Sequence, residues 1–379
     1  MPDRCGMAVR QPYGRKAGAR PIRLMIVDDS IVARSVFQTI LAPHPEFQIV
    51  ATASTADQAL SQLDATTVDV VLLDLAMPGM DGFTALPEII RRGEGARVLI
   101  VSASAGAGAD ACVRALTLGA ADTLEKPSAG SFGGNFREGL IDKLRRIGGD
   151  ARLTDRDDHP EPTRTAPLPV PIALRPPVTE RIDCLAIGAS TGGLHALSEL
   201  FAALPSECDA PILITQHLPA SFMPYFAAQM TEIAGRPATV ARDGINLLPG
   251  QILVAPGDAH LTLRSIGGLP RVLLTHEPAP SGCLPSVDPM LEAIAEHFQE
   301  RALAVILSGM GRDGSIGARR IVESGGEIAA QDQASSVIWG MPGSVASAGL
   351  ASTVASPTGI AARIVERMGG RSLRRPPWR

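Results

Sequence analysis

The stretch Ile22-Arg23-Leu24-Met25-Ile26-Val27-Asp28-Asp29-Ser30 decides the fold of the N-terminal part of this chain. An aliphatic run broken only by Arg23 is followed at once by two carboxylates and a serine. Such a run, bounded by turn-forming residues, is a strand buried on both faces. Ser30 is a helix-start residue, and Ile31–Leu41 beyond it reads as an amphipathic helix. Strand, acidic loop and helix together open a parallel α/β unit.

Outward from this stretch the pattern repeats. Gln48–Ala51, Val68–Leu73, Arg97–Val101 and Ala121–Leu124 read as strands. Ala56–Leu63, preceded by Thr55 as a start signal, then Phe83–Arg92, Ala109–Leu118 and Phe136–Arg146 read as the helices between and after them. The spacing predicts a five-fold βα domain of flavodoxin type over residues 22–147, with helices on both faces of a parallel sheet. Residues 148–181 change character: Gly148-Gly149, the acidic run Asp155–Asp158, then prolines from Pro160 to Pro177 leave no periodicity. This is a proline-rich, semi-rigid linker.

After it the alternation resumes. Cys184–Ile187, Pro211–Thr215, Gln251–Val254 and Leu303–Leu307 read as buried strands, and Leu261–Ser265 with Arg271–Thr275 as a hairpin turning at Gly267-Gly268. Helices are expected at Gly193–Ala203, Ala220–Ile233, Asp288–His297, Gly314–Ser324 and Gly359–Met368. Residues 182–370 are therefore expected to form a second α/β domain, a doubly wound, mainly parallel sheet with a small antiparallel hairpin. Residues 1–21 read as a disordered basic tail and residues 371–379 as a second basic tail.

Composition narrows the function. The 379 residues suit two domains, and 45% hydrophobic with 20% charged residues is an ordinary globular balance able to fill both cores. A net charge of -4 speaks against a DNA-binding output domain, which would carry a basic surface. Five scattered cysteines without a CxxC pair read as reduced, mostly buried thiols of a cytosolic protein. No apolar run reaches the roughly 18–20 residues that span a bilayer, and the N-terminal tail lacks the apolar segment of a secretory signal.

Ligands of open parallel sheets bind beyond the carboxyl ends of the strands. Asp28 and Asp29 follow the first strand, Asp74 and Ser102 end the third and fourth, and Lys126 follows the fifth, just before Pro127. All five are expected in one crevice. Three carboxylates with nothing basic beside them repel one another unless a hard cation sits among them, and Mg2+ suits such a set because it takes few carboxylates and keeps positions for phosphate oxygens. Asp74 is then placed to attack phosphorus, with Ser102 and Lys126 to hold the new phosphate. The segments Ile26-Val27-Asp28-Asp29-Ser30, Leu73-Asp74-Leu75-Ala76-Met77-Pro78-Gly79-Met80-Asp81-Gly82 and Lys126-Pro127 resemble the response-regulator receiver domain. The resemblance implies that Asp74 is the phosphoacceptor, and that Asp29, Asp74 and the Ala76 carbonyl hold magnesium directly while Asp28 acts through water. It departs from the family at Thr123, where an aromatic switch residue usually stands.

A second constellation has different chemistry. Ser190 lies in Gly188-Ala189-Ser190-Thr191-Gly192-Gly193, between a strand and a helix, where glycines allow a sharp turn that exposes a hydroxyl. A serine needs a base, and the base an orienting carboxylate. His217 follows the strand Pro211–Thr215 and Asp313 follows Leu303–Leu307, so both belong at the same sheet edge as Ser190. The Met310 N–H, aided by Thr191, is a candidate donor to an oxyanion. GxSxG alone is a weak pattern. Moreover, Gly309-Met310-Gly311-Arg312-Asp313-Gly314, with Asp332 further on, also matches a dinucleotide-binding fingerprint. On that alternative the second domain binds a nucleotide or a partner without catalysis, and acidic Asp313 would face the pyrophosphate. The order Ser190, His217, Asp313 also differs from the Ser–Asp–His order of α/β-hydrolases.

That order, together with Gln216-His217-Leu218-Pro219, Pro285-Ser286-Val287-Asp288, Ser308-Gly309-Met310-Gly311-Arg312-Asp313-Gly314, Gln331-Asp332-Gln333-Ala334-Ser335 and Gly340-Met341-Pro342, resembles the chemotaxis protein-glutamate methylesterase family, CheB. The resemblance spans about residues 182–367. It implies a serine esterase that hydrolyses γ-glutamyl methyl esters on chemoreceptor cytoplasmic domains and deamidates receptor glutamines, needing no cofactor at the esterase site. It also implies phosphorylation by a chemotaxis histidine kinase, CheA in the family, with the receiver packed over the catalytic crevice until then.

Overall fold

The computed structural model describes residues 20–103, 107–126, 134–154, 172–205 and 208–369. Most of the N-terminal tail, Pro127, the prolines from Pro160 to Pro171 and the C-terminal tail lie outside the described residues.

In the first domain β1 (Ile22–Val27), α1 (Ile31–Leu41), β2 (Phe47–Ala53), α2 (Ala56–Leu63), β3 (Val70–Leu73), α3 (Gly82–Arg92), β4 (Arg97–Ala103), α4 (Ala107–Thr117), β5 (Asp122–Lys126) and α5 (Gly134–Thr154) alternate. The five strands pair in parallel in the order β2-β1-β3-β4-β5. Chain direction across the sheet reverses at β1, so the crevice between the ends of β1 and β3 is the switch point where ligands bind. Ser30 and Thr55 cap α1 and α2 through their side chains, accepting from Ala33 N and Gln58 N. Each such cap is worth about 1 kcal/mol.

One boundary differs from expectation. α5 does not stop near Arg146 but runs through Gly148-Gly149 to Thr154, past the expected linker start. Gly148 is where the helix presses on the sheet: a Cβ there would stand 2.5 Å from Ile22 Cγ2. Gly148 thus serves close packing, where a break was expected.

The second domain contains β6 (Cys184–Ala189), α6 (Gly193–Ala203), β7 (Ile212–Gln216), α7 (Met223–Ala234), β8 (Ala238–Val240), β9 (Ile252–Val254), β10 (His260–Ile266), β11 (Leu269–Thr275), α8 (Val287–Phe298), β12 (Ala302–Ile306), α9 (Ser315–Glu323), β13 (Glu327–Gln331), α10 (Met341–Ser347), β14 (Thr353–Ala355) and α11 (Pro357–Met368). Seven strands form one parallel sheet in the order β14-β13-β12-β6-β7-β9-β8, and β10 with β11 forms the separate antiparallel hairpin. The switch point falls at β6, between β12 and β7. β8, β13, α10 and β14 were not expected from the sequence.

The two domains touch. α4 packs against α6 and α7, and the buried apolar cluster that includes Cys112, Val113 and Leu116 of α4 continues into the second domain. No helix among the described residues is long and apolar enough to cross a membrane.

Candidate active site

Three adjacent strands of the second sheet end in the three side chains expected to act together. Ser190 follows β6, His217 follows β7, and Asp313 lies in the loop between β12 and α9. The elbow at Ser190 is tight because its glycines are crowded. Gly192 has φ +77°, and a Cβ on it would lie 2.4 Å from Val337 Cβ, while a Cβ on Gly309 would lie 2.8 Å from Ser190 Cβ. Gln216 Nε2 donates to Ser190 O at 2.9 Å and fixes the turn from the neighbouring strand.

Asp313 is surrounded by donors. It is hydrogen-bonded to His217 Nε2 at 2.8 Å, and accepts from Ser286 Oγ at 2.6 Å, Val287 N at 2.8 Å and Gly314 N at 3.1 Å. Burial alone would raise its pKa, but the His217 bond and these other donors hold the carboxyl down at about 2. For His217, burial pulls the ring's pKa down, yet the hydrogen bond to Asp313 and the Cys283 thiol beside it outweigh that and carry it up to about 9. At neutral pH the pair is therefore imidazolium and carboxylate. Because Nε2 is committed to Asp313, Nδ1 is the nitrogen left for a proton from serine. Among the described residues Ser190 Oγ makes no hydrogen bond, so the serine and histidine are adjacent but not yet joined.

Two backbone N–H groups beside Ser190, those of Thr191 and Met310, donate to no acceptor among the described residues. Unpartnered N–H groups next to a serine are what an oxyanion requires. The dinucleotide alternative has no support here: Asp313 is committed to His217, and Asp332 accepts from Ser335 N at 2.8 Å and is held in its own turn.

The first domain reaches into this site. Thr191 Oγ1 donates to Asp122 Oδ2 at 3.1 Å, and Gly192 N donates to Ala121 O at 2.9 Å. Lys143 pairs with the same Asp122 oxygen at 2.7 Å. On the flank, His195 Nδ1 lies 3.1 Å from Thr117 O, and Arg97 donates to Ser336 O at 3.4 Å. A cavity of about 420 Å³ remains between the domains, lined by Ser190, Thr191, His217 and Cys283 on one side and Asp122 and Lys143 on the other.

In the first domain Asp28, Asp29 and Asp74 offer carboxylate oxygens all within 4.8 Å of one another. The expectation that nothing basic stands beside them needs correcting: Lys126 Nζ bridges Asp28 Oδ2 at 2.7 Å and Asp74 Oδ2 at 2.6 Å. Its charge meets part of the repulsion. Asp28 Oδ1 accepts from Ser30 N, and Asp74 Oδ1 from Ala76 N. Asp29 is exposed and has no hydrogen-bond partner among the described residues. An all-oxygen set with one free carboxylate fits a hard divalent cation. Burial raises the Asp74 pKa despite the opposing hydrogen bond from Lys126. Ser102 is buried one residue before the end of β4.

Several residues of the second site were not singled out in the sequence. Ser286 and Cys283 arrive on the segment before α8, and Asp122 comes from the other domain. Asp288, raised to about 6 by burial and then by the charge of Asp313, sits behind Asp313 and accepts from Gly317 N. Ser286 and Asp288 lie in the quoted segment Pro285–Asp288, whose only local signal was a helix start.

The chain is similar over most of its length to known proteins. The CheB methylesterase family model matches residues 185–364, and the response regulator receiver domain model matches residues 24–131. Protein-glutamate methylesterase/protein-glutamine glutaminase 1 of Rhodospirillum rubrum is 38% identical over 369 residues, 91% of this chain and 95% of its own. Protein-glutamate methylesterase/protein-glutamine glutaminase 2 of Caulobacter vibrioides is 42% identical over 339 residues, 88% of this chain and 95% of its own. The crystal structure of the Thermotoga maritima CheB methylesterase catalytic domain is 34% identical with a TM-score of 0.48, covering 49% of this chain and 98% of that one. With a receiver ahead of a methylesterase domain and relatives matched over nearly their full length, the chain belongs to the CheB family of protein-glutamate methylesterases/protein-glutamine glutaminases.

Proposed function

We propose that this chain removes methyl groups from γ-glutamyl esters of chemoreceptor cytoplasmic domains, and deamidates receptor glutamines, at a rate set by phosphorylation of Asp74. The observation that carries the reading is His217 Nε2 bonded to buried Asp313 at 2.8 Å, beside Ser190 at the switch point of the sheet. Ser190 Oγ attacks the acyl carbon and its proton passes to His217 Nδ1. Asp313 fixes the ring and stabilises the imidazolium, and the Thr191 and Met310 N–H groups receive the oxyanion. His217 then protonates the departing methanol, or ammonia from a glutamine. Water deprotonated by the same imidazole splits the glutamyl-serine ester.

Control follows from what the receiver occupies. In the closed form Asp122 and Ala121 take the Thr191 hydroxyl and the Gly192 N–H, and His217 is protonated. Asp29, Asp74 and the Ala76 carbonyl, with Asp28 beside them, would hold Mg2+, which when bound offsets the negative charge of an approaching phosphodonor. A phosphoryl group on Asp74, delivered by a chemotaxis histidine kinase of the CheA type, draws Lys126 away from Asp28 and Asp74, with Ser102 as a further phosphate contact. Lys126 ends β5, and Asp122 begins it, so one short strand links phosphate to elbow. This offers a route that does not need an aromatic residue at Thr123.

The test is methanol release from methylated receptor, with and without a small phosphodonor and Mg2+. Release that rises with phosphodonor and vanishes in Ser190→Ala supports the reading. Undiminished release in Ser190→Ala removes the nucleophile, and equal rates with and without phosphodonor remove the switch.

A further inference from the structure

Cys283 stands apart from the other described cysteines. Cys112, Cys184 and Cys208 are buried, whereas Cys283 is partly exposed and lines the same cavity as Ser190. Its Sγ, a ring nitrogen of His217 and a carboxylate oxygen of Asp313 all lie within 4.8 Å of one another. These donors come from three different loops and meet at the cavity wall. The nearby His260 is no competitor, because Nδ1 accepts from Ser286 N and Nε2 lies 2.9 Å from Glu277 O.

We propose that Cys283, His217 and Asp313 form a binding site for a borderline-soft divalent ion such as zinc, and that its occupation inhibits the esterase. Thiolate, imidazole and carboxylate are zinc's usual donors, with bonds of about 2.0–2.3 Å, and three protein ligands with an open fourth position are a familiar zinc arrangement. Small side-chain rotations draw the three donors onto one ion. The receiver triad is its chemical opposite, all oxygen and suited to magnesium. An ion shared with Asp313 takes Nε2 in place of their hydrogen bond and leaves the ring's one proton on Nδ1, so the ring cannot accept the Ser190 proton and the nucleophile is never activated. The thiol and imidazole each give up their proton to solvent as the ion binds.

The inhibition depends on the proposed esterase mechanism, but binding can be read without it. Full-length chain, with Mg2+ present to occupy the receiver, is titrated with Co2+ alone. The expected result is a thiolate-to-cobalt charge-transfer band that saturates at one ion per chain and is erased by zinc. Cys283→Ser and Cys283→Ala lose the band, whereas Asp29→Asn keeps it. Loss of even an outer partner of a metal ligand typically weakens binding ~10–100-fold. Zinc inhibition, measured against each variant's own zinc-free rate, should therefore weaken at least tenfold in both Cys283 variants. No thiolate band in the unaltered chain, a band that survives both substitutions, or equal zinc sensitivity overturns the proposal. A normal band in a chain that releases no methanol leaves the metal site standing and overturns the esterase reading instead.

Discussion

The Thr191 hydroxyl donates to Asp122 Oδ2 at 3.1 Å across the domain boundary, one residue from Ser190. Asp122 is partly exposed and shared with Lys143, so the bond is worth about 1 kcal/mol once solvent screening is allowed for. Asp122→Ala should raise the unphosphorylated rate of methanol release roughly fivefold, by that energy. The phosphorylated rate should stay the same, so the activation ratio shrinks. An unchanged basal rate would mean that the packing of α4 and the other hydrogen bonds across the boundary hold the domains closed without it.

The protonation state of His217 gives a pH dependence of definite sign. Its pKa is raised to about 9, so the ring is protonated below that pH and only about 1% is free base at pH 7. For the unphosphorylated chain, kcat/KM should climb with pH and level off above about 9. Asp313→Asn removes the largest force raising that pKa. Its inflection should move to lower pH even as the rate falls at every pH. A flat profile from pH 7 to 9 would contradict proton transfer to this imidazole.

Ser286 touches Asp313 but does not line the cavity at Ser190. It donates to Oδ1 at 2.6 Å from a fully buried position. Hydrogen bonds to a buried charge are worth about 1.5–3 kcal/mol. Ser286→Ala should lower kcat by ~10–100-fold with little change in KM, the pattern of a lost positioning contact. Ser286→Thr, which keeps the hydroxyl, should recover part of it. A change confined to KM would place Ser286 in substrate binding instead.

What the sequence disclosed follows from what strand ends impose. Ser190, His217 and Asp313 were legible because each follows a buried apolar run, and residues beyond such runs gather at one edge. The carboxylates of the receiver were legible for the same reason. Partners that arrive sideways were not. Ser286 and Cys283 reach the site along the irregular segment before α8, and Asp122 sits at the start of a strand in a separate domain, so no periodicity points to them. β13 escaped notice because Glu-Ile-Ala-Ala-Gln lacks a β-branched run, although it is fully buried between β12 and β14. The Lys126 bridge was missed because Lys126 was assigned to a phosphate, and the unphosphorylated state gives it to the carboxylates.

Glu327 is buried between two arginines. Arg363 Nε approaches it at 2.8 Å and Arg367 Nη1 at 3.3 Å, with Arg367 fully enclosed. Glu327→Gln leaves buried Arg367 without its paired carboxylate and Arg363 with only the exposed Glu366. Breaking one side of a buried ion network typically costs about 3–5 kcal/mol. Urea denaturation should show that loss in the methylesterase domain's transition and leave the receiver's transition in place. A loss below about 1 kcal/mol would mean that backbone carbonyls around Arg367 are enough to carry its charge.

The same arginines also decide where the bridge between the domains becomes part of the methylesterase. Arg363 donates to Val178 O, Arg367 Nε to Glu180 O at 2.8 Å, and Arg175 N to Ala351 O at 2.9 Å. The last part of the bridge is therefore strapped to the methylesterase, and the covalent connection between Thr154 and Ile172 limits how far the receiver can stand from it. Even fully extended, that length spans no more than roughly 60 Å. A receiver that leaves the crevice therefore remains within that reach of its own methylesterase, and closing is an event within one chain whatever the protein concentration.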